Sequence, residues 1–255
     1  MKLLIVIPHY GSDDLLKGLL PTIGCEKKRR RRRKGDYEII SQVPGVTVLI
    51  INNNSDNRGF TKACNLGLIE CVEGDYDACW LLNNDTEVVD IKMAIAEIER
   101  ELRDHPDTGI MGFKILSMED PDFIHHAGTG DPIPAGVHKV GRVSQNQYEE
   151  RGYERWVTGA SLVITRACAR EVGLMDSRMV NYYSDSDYCY RARYAKHQVV
   201  YIPVEVKHQI GQSSNPSKDQ ERVMKGDMLV FYSKWITGKA FSDLNMEVLP
   251  NIVSA

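Results

Sequence analysis

Three short runs of the chain are apolar at nearly every position, and each stops abruptly in a polar cluster. Leu3 to Ile7 ends in Pro8-His9-Tyr10, Val46 to Ile51 in Asn52-Asn53-Asn54-Ser55-Asp56-Asn57, and Asp77 to Leu82 in Asn83-Asn84-Asp85. A strand with no polar alternation is buried on both faces, which requires a largely parallel sheet with helices above and below it. The segments between the runs carry helical spacing, over Asp13 to Leu20, Phe60 to Val72 and Ile91 to Leu102. The fold class is therefore α/β, and in such sheets ligands bind outside the carboxyl ends of the strands. The polar clusters lie at those ends.

The same reading extends along the chain. Pro21 to Gly45 reads as a long exposed, mobile loop, Thr108 to Leu116 as a strand, and Ser117 to Arg155 as weakly ordered, with Gly128, Gly130, Pro132, Pro134 and Gly136 marking a loop. Trp156 to Ile164 is strand-like and Arg166 to Val172 helical. Ser184 or Asp185 can cap a helix reaching about Lys196. Gln198 to Val206 is a strand whose Pro203 suggests a sheet edge, and Asp219 to Trp235 is a last helix. This divides the chain into one domain over residues 1–215, with a basic loop at about 24–45, and a helical extension over 216–255.

Composition removes other classes. With 255 residues, 42% hydrophobic and 26% charged, the chain can bury a full core, and it has no apolar stretch of the roughly 20 residues a membrane helix needs. The first apolar run is shorter than the ~7 residues of a minimal signal core. Six cysteines without a C-x-x-C pair suit packed, reduced thiols, and with the missing signal they predict a cytoplasmic protein. The net charge of −3 includes the run Lys27 to Lys34, so the remainder is acidic and a general nucleic-acid surface is not expected. The run itself reads either as a solvated loop or as an attractor for anionic lipid, which would place the protein peripherally at a membrane. G-x-x-x-x-G-K-[ST], G-x-G-x-x-G after a strand, H-E-x-x-H and G-x-S-x-G are all missing.

Individual residues leave alternatives open. Asp85, emerging at a strand end, suits either a divalent cation or a helix cap. His208 alternates with Val204 and Val206, which suits a buried structural imidazole or a ligand. Asp185 and Asp187, two apart on a helix, point to different sides; Arg191 at i+4 from Asp187 predicts a surface ion pair, which leaves Asp185 free to face a cleft. Trp156 and Tyr183 suit either sugar stacking or core packing. His125 and His126, adjacent in a strand, face opposite ways and receive no ligand role.

Taken in order, the segments Ile5-Val6-Ile7-Pro8-His9-Tyr10, Ile50 to Ser55, Asn57-Arg58-Gly59-Phe60 with Asn65-Leu66-Gly67, Leu81 to Asp85, Trp156 to Ala160, Tyr183 to Asp187 with Arg191-Ala192-Arg193, and Val206-Lys207-His208 resemble the inverting glycosyltransferases of family two. These have the GT-A fold, a mixed, mostly parallel sheet flanked by helices, and the likeness is to their rhamnosyltransferase-like members. The resemblance covers roughly Met1 to Ser214. It implies a nucleotide-sugar donor, UDP- or dTDP-linked, a glycan or glycolipid hydroxyl as acceptor, and Mn²⁺, with Mg²⁺ as the alternative. It places Asp85 and His208 on the metal and makes Asp185 the general base. The nucleotide falls to Pro8, His9, Tyr10, Asn52, Arg58, Lys62, Asn83 and Asn84, and the sugar or acceptor to Trp156, Gly159, Ala160 and Tyr183. The chain departs from the family pattern at Ser184, where Glu is usual, at Asn52 for Asp, and at Cys64 for Arg. A nucleotidyltransferase would share the metal and nucleotide but needs a basic, Gly-rich segment where His9 to Asp13 stands. A non-catalytic nucleotide- or carbohydrate-binding module is the other alternative, raised by Ser184.

Overall fold

A computed structural model describes residues 1–25, 30–31, 36–54, 56–129, 137–209 and 217–235. The first apolar run forms β1 (Leu3–His9), followed by α1 (Asp13–Thr22). Two short strands, β2 (Arg30–Arg31) and β3 (Tyr37–Ile40), precede the second run, β4 (Val46–Asn52), and α2 (Gly59–Glu73) follows it. The third run is β5 (Ala78–Leu82), trailed by β6 (Thr86–Val88) and α3 (Ile91–Asp104). Then come β7 (Thr108–Ser117), β8 (Phe123–His126), β9 (Gly141–Arg142), β10 (Gly152–Tyr153), β11 (Ser161–Thr165), α4 (Arg166–Val172), α5 (Ser184–Tyr194), β12 (Gln198–His208) and α6 (Lys218–Trp235).

The sheet runs β10-β12-β7-β11-β5-β1-β4-β3-β2. β4, β1 and β5 are parallel neighbours, as are β7 and β12, while β11 lies antiparallel between β5 and β7. Alternate residues of each central strand feed opposite cores. Leu3, Ile5 and Ile7 of β1 pack with Leu16 and Leu19 of α1 and Ala94 and Ile98 of α3. Leu4 and Val6 face α2, α4 and α5 through Ala63, Leu68, Cys168, Tyr188 and Ala192. Gly67 lets α2 approach β1, since a Cβ there would lie 2.5 Å from Val6 Cγ1. Ser12, Asp90 and Thr165 accept backbone N–H groups at the starts of α1, α3 and α4, each cap being worth about 1 kcal/mol. All six cysteines are buried and unpaired.

Several expectations are corrected. The predicted loop over Pro21 to Gly45 contains β3, which pairs antiparallel with β4 and extends the sheet. Of the basic run, only Arg30 and Arg31 are described, in β2; Lys27 to Arg29 and Arg32 to Lys34 lie outside the described residues. Pro203 does not mark an edge: β12 lies between β10 and β7, and the proline falls where the β12–β7 register shifts between Ile202 and Glu205, so no ladder N–H is missed. Trp156 to Ala160 precede β11 rather than belong to it. The left-handed Tyr183 (φ 63°), not Ser184 or Asp185, is the residue before α5. No helix among the described residues is long and apolar enough to cross a membrane.

Candidate functional site

The carboxyl ends of β1, β4 and β5 are laced together by amide side chains. Asn84 Nδ2 donates to His9 Nδ1 and to the Tyr10 carbonyl, both at 2.9 Å. Its donation fixes Nδ1 of His9 as the acceptor and leaves Nε2–H for Asp13 Oδ1, 3.0 Å away. Asn54 closes on Gly11 in both directions, accepting its N–H at 2.8 Å and donating to its carbonyl at 3.0 Å. His9 is thus buried and committed to joining the strand ends. Asn52 is likewise engaged: Asp36 Oδ1 accepts its N–H, and its own Oδ1 accepts from Asn54 N.

Above this lacing opens a cavity of about 670 Å³, lined by Pro8, Tyr10, Asn53, Asn83, Asn84 and Asp85 from the strand ends, Phe60 from α2, and Gln220 from α6, among others. Tyr10, 59% exposed, is part of its lining. Asn53, buried and not foreseen as a site residue, donates to the Gly59 carbonyl at 3.4 Å while its Oδ1 has no partner. Asn181 and Tyr182 also line the cavity and were missed. They sit on a loop whose three consecutive N–H groups, Val180 to Tyr182, are held at 2.8–2.9 Å by Asp227 of α6, and Asn181 Oδ1 in turn accepts the N–H of Phe60. No sequence pattern links Asp227 to that loop, 45 residues away in the closest pair.

Asp85 and His208 meet because of strand register. β6 pairs antiparallel with the end of β12, opposing Thr86 to His208, and Gln209 N donates to the Asp85 carbonyl at 3.0 Å. His208 Nε2 lies 3.2 Å from Asp85 Oδ1. This contact lacks hydrogen-bond geometry, and both Asp85 Oδ1 and His208 Nδ1 are buried without a hydrogen-bond partner. His208 Nε2 faces the unsatisfied Asp85 Oδ1, and this nitrogen and oxygen fit a shared divalent cation. Among the described residues no cluster of three or more ligating side chains occurs.

Asp185 opens α5, partly buried, with Oδ2 accepting Gly159 N–H at 2.7 Å and Oδ1 accepting Ser186 N–H at 2.8 Å. Burial pushes its carboxyl above the ordinary aspartate range, and the two N–H donors pull the other way without cancelling it. Gly159 suits the close approach: a Cβ there would lie 3.2 Å from Asp185 Oδ2 and 3.1 Å from Phe60, so one of them would have to give by a few tenths of an ångström. Ala160 fixes β5 from the other side, its carbonyl accepting Asn83 N–H at 3.0 Å.

Other expected residues fall elsewhere. Trp156 is 2% exposed, its ring against His126 and His138, and it offers no face to a sugar. Tyr183 packs on Phe231 and Tyr232 of α6. Arg58 lies 3.9 Å from Asp56, and exposed Lys62 does not line the cavity. Asp187 corrects the surface-pair expectation outright. It is fully buried and takes Arg191 at 2.9 Å, Lys234 at 2.6 Å and Trp235 Nε1 at 2.7 Å, which joins α5 to α6.

No family model and no curated protein matches the chain. Solved structures do. A197 from STIV superposes with a TM-score of 0.50 at 14% identity, over 83% of this chain and 87% of that one. GalNAc-T7 with UDP, GalNAc and Mn²⁺ gives 0.56 at 14% identity over 91% of this chain, which spans only half of GalNAc-T7. The mannosyltransferase PcManGT from Pyrobaculum calidifontis, in complex with GDP-Man and Mn²⁺, gives 0.53 at 11% identity, over 99% and 73%. The chain has the GT-A fold: a mixed, mostly parallel sheet flanked by helices, shared with glycosyltransferases.

Proposed function

We propose that the chain is a metal-dependent inverting glycosyltransferase, of family two and rhamnosyltransferase-like, that moves a sugar from a UDP- or dTDP-linked donor to a hydroxyl of a glycan or glycolipid. The observation that carries this reading is Asp85 Oδ1, an unsatisfied carboxylate oxygen of a residue lining the strand-end cavity, set 3.2 Å from His208 Nε2. In this reading Asp85 and His208 hold Mn²⁺ or Mg²⁺, whose charge offsets that building up on a departing nucleoside diphosphate. The neighbours that bind Mn²⁺ with UDP or GDP-Man support it.

The chain's own groups divide the remaining work. Pro8, Tyr10, Asn83 and Asn84 form the nucleotide wall, with Asn53 supplying an unmet acceptor for a base or ribose donor. His9 and Asn52 act behind that wall by holding the strand ends in place. Asp185 takes the proton of the acceptor hydroxyl as its oxygen attacks the anomeric carbon. Its raised pKa makes it a stronger base than an exposed aspartate. Gly159 N–H and Ser186 N–H orient its two oxygens so that a lone pair remains for that proton. One displacement opposite the leaving group inverts the anomeric centre. The basic run Lys27 to Lys34 is proposed to attract an anionic membrane carrying the acceptor, each cation there being worth about 1 kcal/mol.

The test is transfer from a panel of nucleotide sugars to a glycolipid acceptor, with the product's anomeric configuration read by NMR. The reading expects inversion. Retention would exclude the single displacement, and exchange of pyrophosphate into the donor would indicate a nucleotidyltransferase.

A further inference from the structure

Behind the proposed base stands a group of histidines that no step above uses. His125 and His126 end β8, and His138 is bridged antiparallel to Thr129 on the returning strand. His126 is fully buried, its ring centre 4.8 Å from that of His138 and 5.3 Å from that of Trp156. Its Nδ1 lies 2.8 Å from His138 Nδ1, and its Nε2 lies 3.2 Å from the backbone nitrogen of Thr158.

The proton positions follow from these partners. A backbone N–H only donates, so His126 Nε2 carries the lone pair and Nδ1 the proton. His138 Nδ1 is then the acceptor, and the His138 proton sits on Nε2. Charging His126 would put a proton on Nε2, facing the Thr158 N–H; charging His138 would put one on Nδ1, facing the His126 N–H. Burial pushes both imidazoles down, His138 to about 4, so the pair is neutral and directional at physiological pH.

Thr158 is followed by Gly159, whose N–H holds Asp185 Oδ2 at 2.7 Å. One short turn therefore receives His126 on one residue and grips the carboxylate with the next. The turn has three further ties: Thr158 Oγ1 meets Ala160 N at 3.4 Å, the Thr158 carbonyl accepts Ser161 N–H at 3.4 Å, and Ala160 is tied to Asn83, while His126 holds the peptide unit that leads into it. We propose that His126, backed by His138, is a positioning residue for Asp185, pinning the Thr158–Gly159 backbone so that the Gly159 N–H meets the carboxylate. The proposal rests on the reading of Asp185 as the base. His126 touches neither donor nor acceptor, so its effect belongs in turnover rather than in donor affinity.

The experiment compares His126→Leu, which fills the space and accepts nothing, with His126→Gln, whose Oε1 reaches the place of Nε2. His126→Leu is expected to lower kcat by about 10- to 100-fold, the scale of a displacement near 1 Å at a reacting group, with the donor KM within about 3-fold. His126→Gln is expected to recover most of that loss. Independently of turnover, the Asp185 carboxyl titration followed by ¹³C NMR should move upward in His126→Leu and return in His126→Gln, because a lost N–H donor destabilises the ionised form. His138→Leu, at a partly exposed ring, removes the backing acceptor and gives the same comparison against His138→Asn if His126→Leu does not fold. Parental kcat and an unmoved Asp185 titration in the leucine variants overturn the proposal. A parent whose transfer survives Asp185→Asn overturns the reading of the base instead, and the NMR comparison then still decides what His126 holds.

Discussion

Asp185 and Asp187 stand two residues apart and do unlike things. Asp187 is fully enclosed by Arg191, Lys234 and Trp235, so Asp187→Asn leaves two cations facing one neutral amide. Removing one partner of a buried pair costs about 3–5 kcal/mol, and an amide oxygen that still accepts places this variant near the lower end. Urea unfolding should show that loss, whereas an unchanged midpoint would mean the network contributes nothing. Asp185→Asn runs in the opposite direction. The fold favours the neutral carboxyl, so the parent holds stability from this group at low pH and loses it as pH rises from the unfolded aspartate pKa through the raised folded one. At neutral pH the asparagine variant should melt at or above the parent temperature while transfer falls about 10²- to 10⁴-fold. The acid limb of the parent's pH–rate profile should lie above the ordinary aspartate range and be missing from the variant's residual activity. A variant that is both less stable and nearly as active would contradict both halves.

Among the elements, α6 determines most of what lies beyond the strand ends. Asp227 collects the Val180, Asn181 and Tyr182 N–H groups, and that loop fixes the start of α2 and leads into α5. Asp227→Ala leaves three part-buried donors unmet, at about 1–3 kcal/mol each where water cannot replace the carboxylate. Donor binding should weaken together with stability, by calorimetry and thermal melts, because Asn181 and Tyr182 line the cavity. Binding that survives intact would separate α6 from the site. This coupling was not legible beforehand, since an isolated Asp in an amphipathic helix carries no sign of the loop it will meet. The central strands were legible, because burial on both faces forces a nearly unbroken apolar run, and Leu3 to Ile7 is too short for the signal core that was its alternative. Two short elements, and the place of one proline, were not. β6 spans Thr86 to Val88 and takes its meaning from a partner 120 residues away, yet it alone sets Asp85 beside His208. β3 was hidden by the basic run before it, and Pro203 suggested an edge where a register shift absorbs it. The family resemblance points to Trp156 as a sugar platform, but the ring is buried against His126 and His138, and only tertiary structure decides that.

For the molecule as a whole, charge sets the decisive condition. The chain is net −3 even with its basic run, and the cavity wall among the described residues includes Asp85 and Asp219 but no lysine or arginine. A nucleoside diphosphate entering such a wall meets like charge unless a cation accompanies it, so metal should be a condition of binding as well as of chemistry. Replacing residues 26–35 by a short Gly-Ser linker should leave metal-dependent donor hydrolysis in place while reducing transfer to acceptors in anionic vesicles. Equal loss of both would put the basic run inside the catalytic site. The central claim is tested most directly by isothermal titration of UDP into the protein with Mn²⁺ and with EDTA, repeated for Asp85→Ala and His208→Ala, alongside nucleotide release from UDP- and dTDP-sugars. The account predicts binding and release by the parent only with Mn²⁺, and the loss of both in each variant with folding retained. Tight UDP binding in EDTA, or variants that bind Mn²⁺–UDP as the parent does, would contradict it.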